Sequence, residues 1–419
     1  MTPPSEAHAR APAPAHSDVA ALPGVETRLL ESVRRNGTRV TLQAYERRGG
    51  TRDALLFFVH GMCGTADNYI FQLRALPPHV AFFTYDMLGC GASGELAGRN
   101  LEALEFSSLK RYFAPRRLVE DLEAAWRAAT HGGARPCVVV AHSYSTSLVT
   151  QWLAARERRE PRFGTRNGVC GVVLLETHAT IPPIAAGRAA RLGRSLPLAL
   201  QYAAMQVFSG PLRWWRLLGG GESVSLGSLG PVGARSAEAK RLWLKWERQK
   251  SAALYAASVC TCDWARERDF AHAYAQTPLA VCWGGSDELT PVDARFWRVD
   301  VAPALRSIKV CEGFGHWPML DNADFDAWFA ATLAAFARGA PPVRALPPEP
   351  STCVGAELGD DAPVCAECGG EAAVACGACA AERGAAAAAQ RYCGDECARL
   401  AWERGHAAAH ARARAASGE

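Results

Sequence analysis

The sequence predicts an α/β fold: a doubly wound, mostly parallel sheet with one helical insertion, followed by a small cysteine-rich module. Three observations predict it. Apolar runs such as ALLFFVHG, CVVVAHS and GVCGVVLLE each stop at a glycine or a polar residue, as strands buried on both faces do. Segments of helical period alternate with these runs, and that alternation implies a parallel sheet with helices on its faces. Six of the fifteen cysteines crowd between Cys365 and Cys397, behind a stretch dense in proline.

Residues 1–23 are rich in Pro, Ala and His, lack the apolar core of a secretory signal, and read as a disordered tail. The main domain is expected over 24–338. TRVTLQAYER alternates like an early edge strand. ALLFFVHG and VAFFTYDMLGCGASG follow, each a strand running into a glycine-containing loop. RRLVEDLEAAWRAAT places Leu118, Leu122, Ala125 and Trp126 on one face of a helix. Then come CVVVAHS, the helix STSLVTQWLAARERR, and the strand GVCGVVLLE. PLAVCWGG and RSIKVCEG supply two further strands before the closing helix FDAWFAATLAAFARG.

Between about 180 and 269 the strand–helix rhythm stops. This segment is helical in pattern, contains Trp214, Trp215, Trp243 and Trp246, and separates two core strands. It reads as a lid inserted over the sheet, the alternative being a helical excursion with no role above a site. Residues 339–364 are too rich in proline to continue helix or sheet and form a linker. A metal-binding module is expected over 365–410 and a basic tail over 411–419.

Bulk composition narrows the function. With 49% hydrophobic and 21% charged residues over 419 positions, the chain can bury a sizeable core. A net charge of +4 gives no reason to expect nucleic acid as the main partner. No stretch reads as a transmembrane span: the nearest, 196–218, is broken by Pro197, Gly210, Pro211, Arg213 and Arg216. Single cysteines inside apolar runs suit a reducing compartment, the cytoplasm or the nucleus.

The sharpest chemical signal is Ala141-His142-Ser143-Tyr144-Ser145, directly after the apolar run Val138–Val140. A strand turning abruptly into a helix holds its central serine in a strained conformation with the side chain exposed. Residues two positions to either side must be small. The pattern Gly-x-Ser-x-Gly is usual there, and Ala141 and Ser145 stand in for both glycines. Asp287, in CWGGSDELTP, and His316, in CEGFGHWPML, follow in chain order, each just past an expected strand, where ligands gather in open parallel sheets. Glu176, at the end of GVVLLE, would also sit at a strand end and is the runner-up acid.

On these residues, the segment from about 30 to 338 resembles the α/β-hydrolase family, particularly its lid-bearing members. HGMCG at His60–Gly64 is similar to the family's oxyanion loop, and YDMLGCGASG at Tyr85–Gly94 to its Asp-x-x-Gly-x-Gly-x-Ser loop. The resemblance implies Ser143 as nucleophile, His316 as general base and Asp287 as the acid orienting it. It also implies an oxyanion hole from the backbone N–H groups of Met62 and Tyr144. An esterase- or lipase-like activity on acyl esters, lipids or thioesters follows, with acyl transfer or an inactive adaptor as the alternatives.

At the C-terminus, Cys365-x-x-Cys368, Cys376-x-x-Cys379, Cys393-x-x-x-Cys397 and His406-x-x-x-His410 are four short-spaced pairs of metal-ligating residues. Eight such ligands meet the needs of two tetrahedral zinc ions. All eight positions are filled by protein side chains, so the ions are expected to be structural. The order of pairs, with Tyr392 and Trp402, resembles a MYND-type zinc finger. In that family the sites interleave, which implies Cys365, Cys368, Cys393 and Cys397 on one ion and Cys376, Cys379, His406 and His410 on the other. His410 stands where the family usually has Cys. The resemblance further implies a protein partner engaged through a proline-containing peptide.

Overall fold

The computed structural model describes residues 17–49, 54–93, 95–96, 99–100, 112–159, 168–180, 182, 229–249, 258, 261–297, 300–337, 374–375 and 391–392. Trp214, Trp215 and the eight expected zinc ligands lie outside these. The chain divides into two compact units, Met1–Leu346 and Pro347–Glu419.

The first unit is built on an eight-stranded sheet: β1 (Val25–Val33), β2 (Arg39–Arg47), β3 (Leu55–Val59), β4 (Phe82–Tyr85), β5 (Cys137–His142), β6 (Val169–Leu175), β7 (Leu279–Gly284) and β8 (Leu305–Cys311), in the spatial order β1-β2-β4-β3-β5-β6-β7-β8. The six strands from β4 to β8 are mutually parallel, and β1 and β2 run as an antiparallel hairpin added at one side. The expected edge strand is therefore an inner one. β2 is flanked by β4 and by β1, which forms the true edge, carries Glu26, Arg28 and Glu31, and leaves Leu29 and Val33 exposed.

The helices are α1 (Ile70–Ala75), α2 (Pro115–Thr130), α3 (Tyr144–Arg159), α4 (Ala237–Gln249), α5 (Glu267–Ala273) and α6 (Ala323–Ala337). Alternate strand residues feed two cores. Phe57, Val59, Val139, Ala141, Leu174 and Trp283 pack with α2, α3 and α5 residues, including Trp126, Trp152 and Phe270. Phe58, Val140, Leu175 and Cys282 pack with residues of α1, α4 and α6, including Ile70, Trp243 and Phe329. Burial on both faces is why these strands are apolar at every position.

The packed part of the domain starts before Gly24. Val19 is fully buried, its N–H donates to Asp67 Oδ1 (3.0 Å), and Lys245 Nζ lies 2.9 Å from Asp18 and 3.1 Å from Asp67. Residues 17–23 thus dock on α4 and are not part of a free tail. The described part of the insertion is core as well: α4 buries Leu242, Trp243 and Trp246. Its return segment is fastened along α3, with Asp263 N–H donating to Tyr144 OH (3.2 Å), Ala265 N–H to Ser147 Oγ (3.1 Å) and Gln151 Nε2 to Asp263 O (3.3 Å). No helix among the described residues is long and apolar enough to cross a membrane.

In the second unit one short antiparallel pair is described, Val374–Ala375 against Arg391–Tyr392.

Candidate active site

Because β3 to β8 are parallel, the loops after them gather at one edge. β4 and β5 lie on opposite sides of β3, so the topological switch falls here, where ligands bind in open α/β sheets. Ser143 follows β5 directly and opens α3 with φ +55°. A non-glycine residue held there is strained, and its surroundings hold it: its N–H donates to Leu175 O of β6 (2.8 Å), and its carbonyl accepts from Thr146 N–H (2.9 Å).

The close approach of the β3 loop depends on Gly61, where a Cβ would lie 3.0 Å from both His142 Nδ1 and Ser143 Cβ. Gly64 N–H donates to Gly61 O (3.0 Å), closing a turn with Met62 and Cys63 at its corner; Cys63 has φ +56°. His60 ties this loop to the next. Its Nε2 accepts from Met87 N–H (2.9 Å) while Nδ1–H donates to Gly61 O (2.8 Å), which fixes the neutral tautomer. Complete burial lowers its pKa to about 4. Asp86 anchors the same loop by accepting from Ala66 N–H, Ala92 N–H and Tyr45 OH (2.8, 2.9 and 2.9 Å).

Ser145 does more than tolerate the turn. It is fully buried, its Oγ accepts from His142 N–H (3.0 Å), and its proton serves Val59 O and His142 O, each 2.8 Å away. The hydroxyl therefore clasps the end of β3 to the turn after β5. Ser145→Ala leaves these groups without that partner, and its unfolding midpoint in urea should correspond to a loss of about 1–3 kcal/mol. An unchanged midpoint would remove the clasp.

The structure brings Ser143, Asp287 and His316 together. His316 Nε2 lies 2.8 Å from Ser143 Oγ, and His316 Nδ1 lies 2.7 Å from Asp287 Oδ2. The β8 loop can reach the end of β7 because position 284 is glycine; a Cβ there would run into Gly315 O. His142 Nε2–H donates to His316 O (2.8 Å), and its ring lies 5.0 Å from that of His316 and 4.5 Å from that of Trp317. Burial holds His142 neutral, well below the usual histidine range. Trp246 of α4 packs against Trp317, the residue after His316, with ring centroids 5.3 Å apart and the rings tilted by 42°, both within the second core.

Asp287 also accepts from Leu289 N–H at Oδ1 (2.8 Å) and from Thr290 Oγ1–H at Oδ2 (2.5 Å). Burial opposes its ionisation, but the charge and hydrogen bond of His316 outweigh burial and hold the carboxyl well below the usual range. Glu176, the runner-up acid, is in the same cluster, fully buried after β6 with φ +55°. Burial and then the adjoining Asp287 carboxylate push it well above the usual carboxylate range. Donor atoms of Glu176, Asp287 and His316 lie within 4.8 Å of one another, but each is committed to hydrogen bonds, so the grouping is not read as a metal site. Thr290 and the Ser145 hydroxyl were not singled out from sequence. Within SDELTP the threonine's Asp287 partner reads as ordinary turn chemistry, and its contacts with Glu176 and His316 come from two other loops.

The profile of the alpha/beta hydrolase family matches residues 56–331. The chain belongs to the alpha/beta hydrolase family. Among solved structures it is similar to a thermophilic esterase from Thermogutta terrifontis (15% identity, TM-score 0.52, covering 74% of this chain and 99% of that one). It is likewise similar to a bromoperoxidase from Bacillus anthracis (14% identity, TM-score 0.52, covering 75% and 100%). Likenesses at such identity speak for the hydrolase fold. No curated protein sequence matches the chain.

Proposed function

We propose that this alpha/beta hydrolase is a serine esterase that cleaves acyl esters through an acyl-enzyme at Ser143. The observation that carries the reading is the unbroken line from Ser143 Oγ to His316 Nε2 and from His316 Nδ1 to Asp287, at 2.8 and 2.7 Å, with the serine held at positive φ. A serine hydroxyl becomes a competent nucleophile when an adjacent imidazole takes its proton. Asp287 fixes the tautomer with Nδ1 protonated and stabilises the imidazolium that forms. The N–H groups of Met62 and Tyr144 then receive the tetrahedral oxyanion, each worth roughly 3 kcal/mol of barrier. His316 returns its proton to the leaving alkoxide, and water releases the acyl group by the same steps in reverse.

The insertion is read as a lid, since its helix α4 sets Trp246 against Trp317 beside His316, and an acyl ester, a lipid or a thioester is the substrate class that reading suits. A buried thiol such as Cys137 suits a cytoplasmic setting. Labelling of the intact chain with a fluorophosphonate, followed by turnover of p-nitrophenyl esters of graded acyl length, tests the reading. A folded protein that neither labels nor turns over ester would instead be an adaptor. Ester consumed only when an alcohol acceptor is added would make it an acyltransferase.

The C-terminal module is read as a MYND-type finger with two structural zinc ions, Cys365, Cys368, Cys393 and Cys397 on one and Cys376, Cys379, His406 and His410 on the other. The donor set fits zinc: six thiolates and two imidazoles make four ligands per tetrahedral ion. The strand pair supports interleaving. Ala375 and Tyr392 end their antiparallel strands at opposite ends of the pair, so the chain leaves toward Cys376 and toward Cys393 in opposite directions. The metals would supply the module's folding free energy and present a surface for a proline-containing peptide. Metal analysis should return about two zinc ions per chain. Truncation at Pro347, where the second unit begins, should remove both. One ion would show that His410 does not ligate, and none would overturn the finger.

A further inference from the structure

The triad reading leaves one group of the site without a task. Glu176 lies at the strand end next to the nucleophile's own, is 0% exposed, and is held in a left-handed conformation that a glutamate seldom adopts. Its Oε1 accepts from Gly284 N–H (2.5 Å), and its Oε2 lies 3.2 Å from Thr290 Oγ1. We infer that Glu176 is a proton-bearing positioning residue: its neutral carboxyl donates to Thr290 Oγ1, which donates to Asp287 and so aims the carboxylate that orients His316. The inference rests on the triad proposed above and adds a fourth and a fifth member to it.

Thr290 has one hydroxyl proton and three neighbours at its oxygen: Asp287 Oδ2 at 2.5 Å, Glu176 Oε2 at 3.2 Å and His316 Nδ1 at 3.2 Å. The proton goes to Asp287, the shortest contact. His316 Nδ1–H is directed at the same Asp287 oxygen, 2.7 Å away. Toward Glu176, then, the threonine oxygen can only accept. Two acceptors facing each other in a dry site repel, and the contact is favourable only if Oε2 carries a proton.

Charge counting agrees. The titratable groups around Glu176 are Asp287 from the β7 loop, His316 from the β8 loop and the Cys282 thiol of β7, with the neutral His142 beyond His316. One imidazolium cannot balance two buried carboxylates, so one of them keeps a proton. Asp287 accepts from Leu289 N–H, Thr290 and His316, whereas Glu176 accepts firmly from Gly284 N–H, meets Thr290 at the longer 3.2 Å, and shares a side-chain hydrogen bond with Asp287 that needs a proton on one of the two carboxyls. The charge belongs on Asp287. A neutral Glu176 adds a donor to the line without a second negative charge, which would make the imidazolium reluctant to release its proton to the leaving group.

The experiment is the pH dependence of kcat and kcat/KM for the full-length wild type, Glu176→Leu, Glu176→Gln and Thr290→Val, each checked for folding by circular dichroism. Glu176→Leu should lower kcat by roughly tenfold to a hundredfold while KM stays within about twofold, because it disturbs orientation and not substrate contact. Glu176→Gln should recover most of that loss, its amide N–H replacing the acid proton and its carbonyl still accepting from Gly284. The acid limb of its kcat/KM profile should stay where the wild type has it. Removing an ionised carboxylate from beside His316 would instead move that limb down by about one pH unit, and such a shift would overturn the inference. Wild-type kcat in Glu176→Leu, or in Thr290→Val should the leucine variant not fold, would overturn it too. A wild type that fails to label with fluorophosphonate sinks the triad and this inference together. A labelled wild type with a shifted Glu176→Gln limb sinks this inference alone.

Discussion

Ser143→Ala should abolish fluorophosphonate labelling and lower ester turnover on the order of 10⁴-fold or more, with the fold intact. The size of the effect follows from what remains. Without Oγ no acyl-enzyme forms, and the oxyanion donors at Met62 and Tyr144 can assist only direct attack by water. His316→Ala should cost a similar amount, and the double variant little more than either single one, because the two groups act as a unit. Neither change should reduce stability much. Alanine tolerates positive φ no better than serine, so the strain at position 143 persists, and the bonds from Ser143 N–H to Leu175 O and from Thr146 N–H to Ser143 O are made by backbone atoms. Turnover of p-nitrophenyl acetate beside the thermal midpoint separates the outcomes. Retained turnover in a folded Ser143→Ala protein would move the chemistry to another residue.

The parts of this fold legible in the sequence are those where local pattern and burial coincide. LLFFV, VVLL and LAVCWG are apolar at every position because both faces of the central strands are covered by helices. Ser143 and Asp287 could be picked out because each follows such a run, and His316 because it follows the mixed edge strand LRSIKVC; parallel strands bring their C-terminal ends to one edge. Where partners are distant, the pattern misleads. VETRLLESV carries three charges, Glu26, Arg28 and Glu31, as an edge strand does, whereas TRVTLQAYER, which alternates like an edge strand, holds the inner strand β2. Val19 sits in a stretch that composition assigns to a tail, and its burial depends on Asp67 and Lys245 far along the chain. Ser145 looks like a compromise at a glycine position until Val59 O is seen beside its hydroxyl. Thr290 bonds to Asp287 three residues before it, but its place between Glu176 and His316 is set by other loops. Trp243 and Trp246 were legible as an aromatic helix face, but that the face closes over Trp317 is a tertiary fact.

Asp287→Asn should lower kcat/KM on the order of 10⁴-fold while the protein remains folded. The asparagine side chain has nearly the same shape but presents an N–H₂ group as well as a carbonyl. Asp287 Oδ2 receives both His316 Nδ1–H at 2.7 Å and the Thr290 hydroxyl at 2.5 Å. An amide cannot hold that double-acceptor position with the carboxylate's charge. With its nitrogen turned toward the imidazole, His316 is driven to the tautomer protonated at Nε2, which cannot take the proton of Ser143. Even with the carbonyl turned inward, the imidazolium formed during attack loses its counter-charge. Glu176 is the one nearby group that could compensate, since removing the Asp287 charge lets the second carboxyl ionise more readily. The His316 ring nitrogen, however, is aimed at Asp287, and Glu176 reaches it through Thr290 and through residue 287. Partial rescue at alkaline pH in Asp287→Asn, absent from Asp287→Asn/Glu176→Gln, would be the mark of such ionisation. If Asp287→Asn keeps full activity while Glu176→Gln loses it, the orienting acid is Glu176, and the catalytic acid moves from the β7 loop to the end of β6.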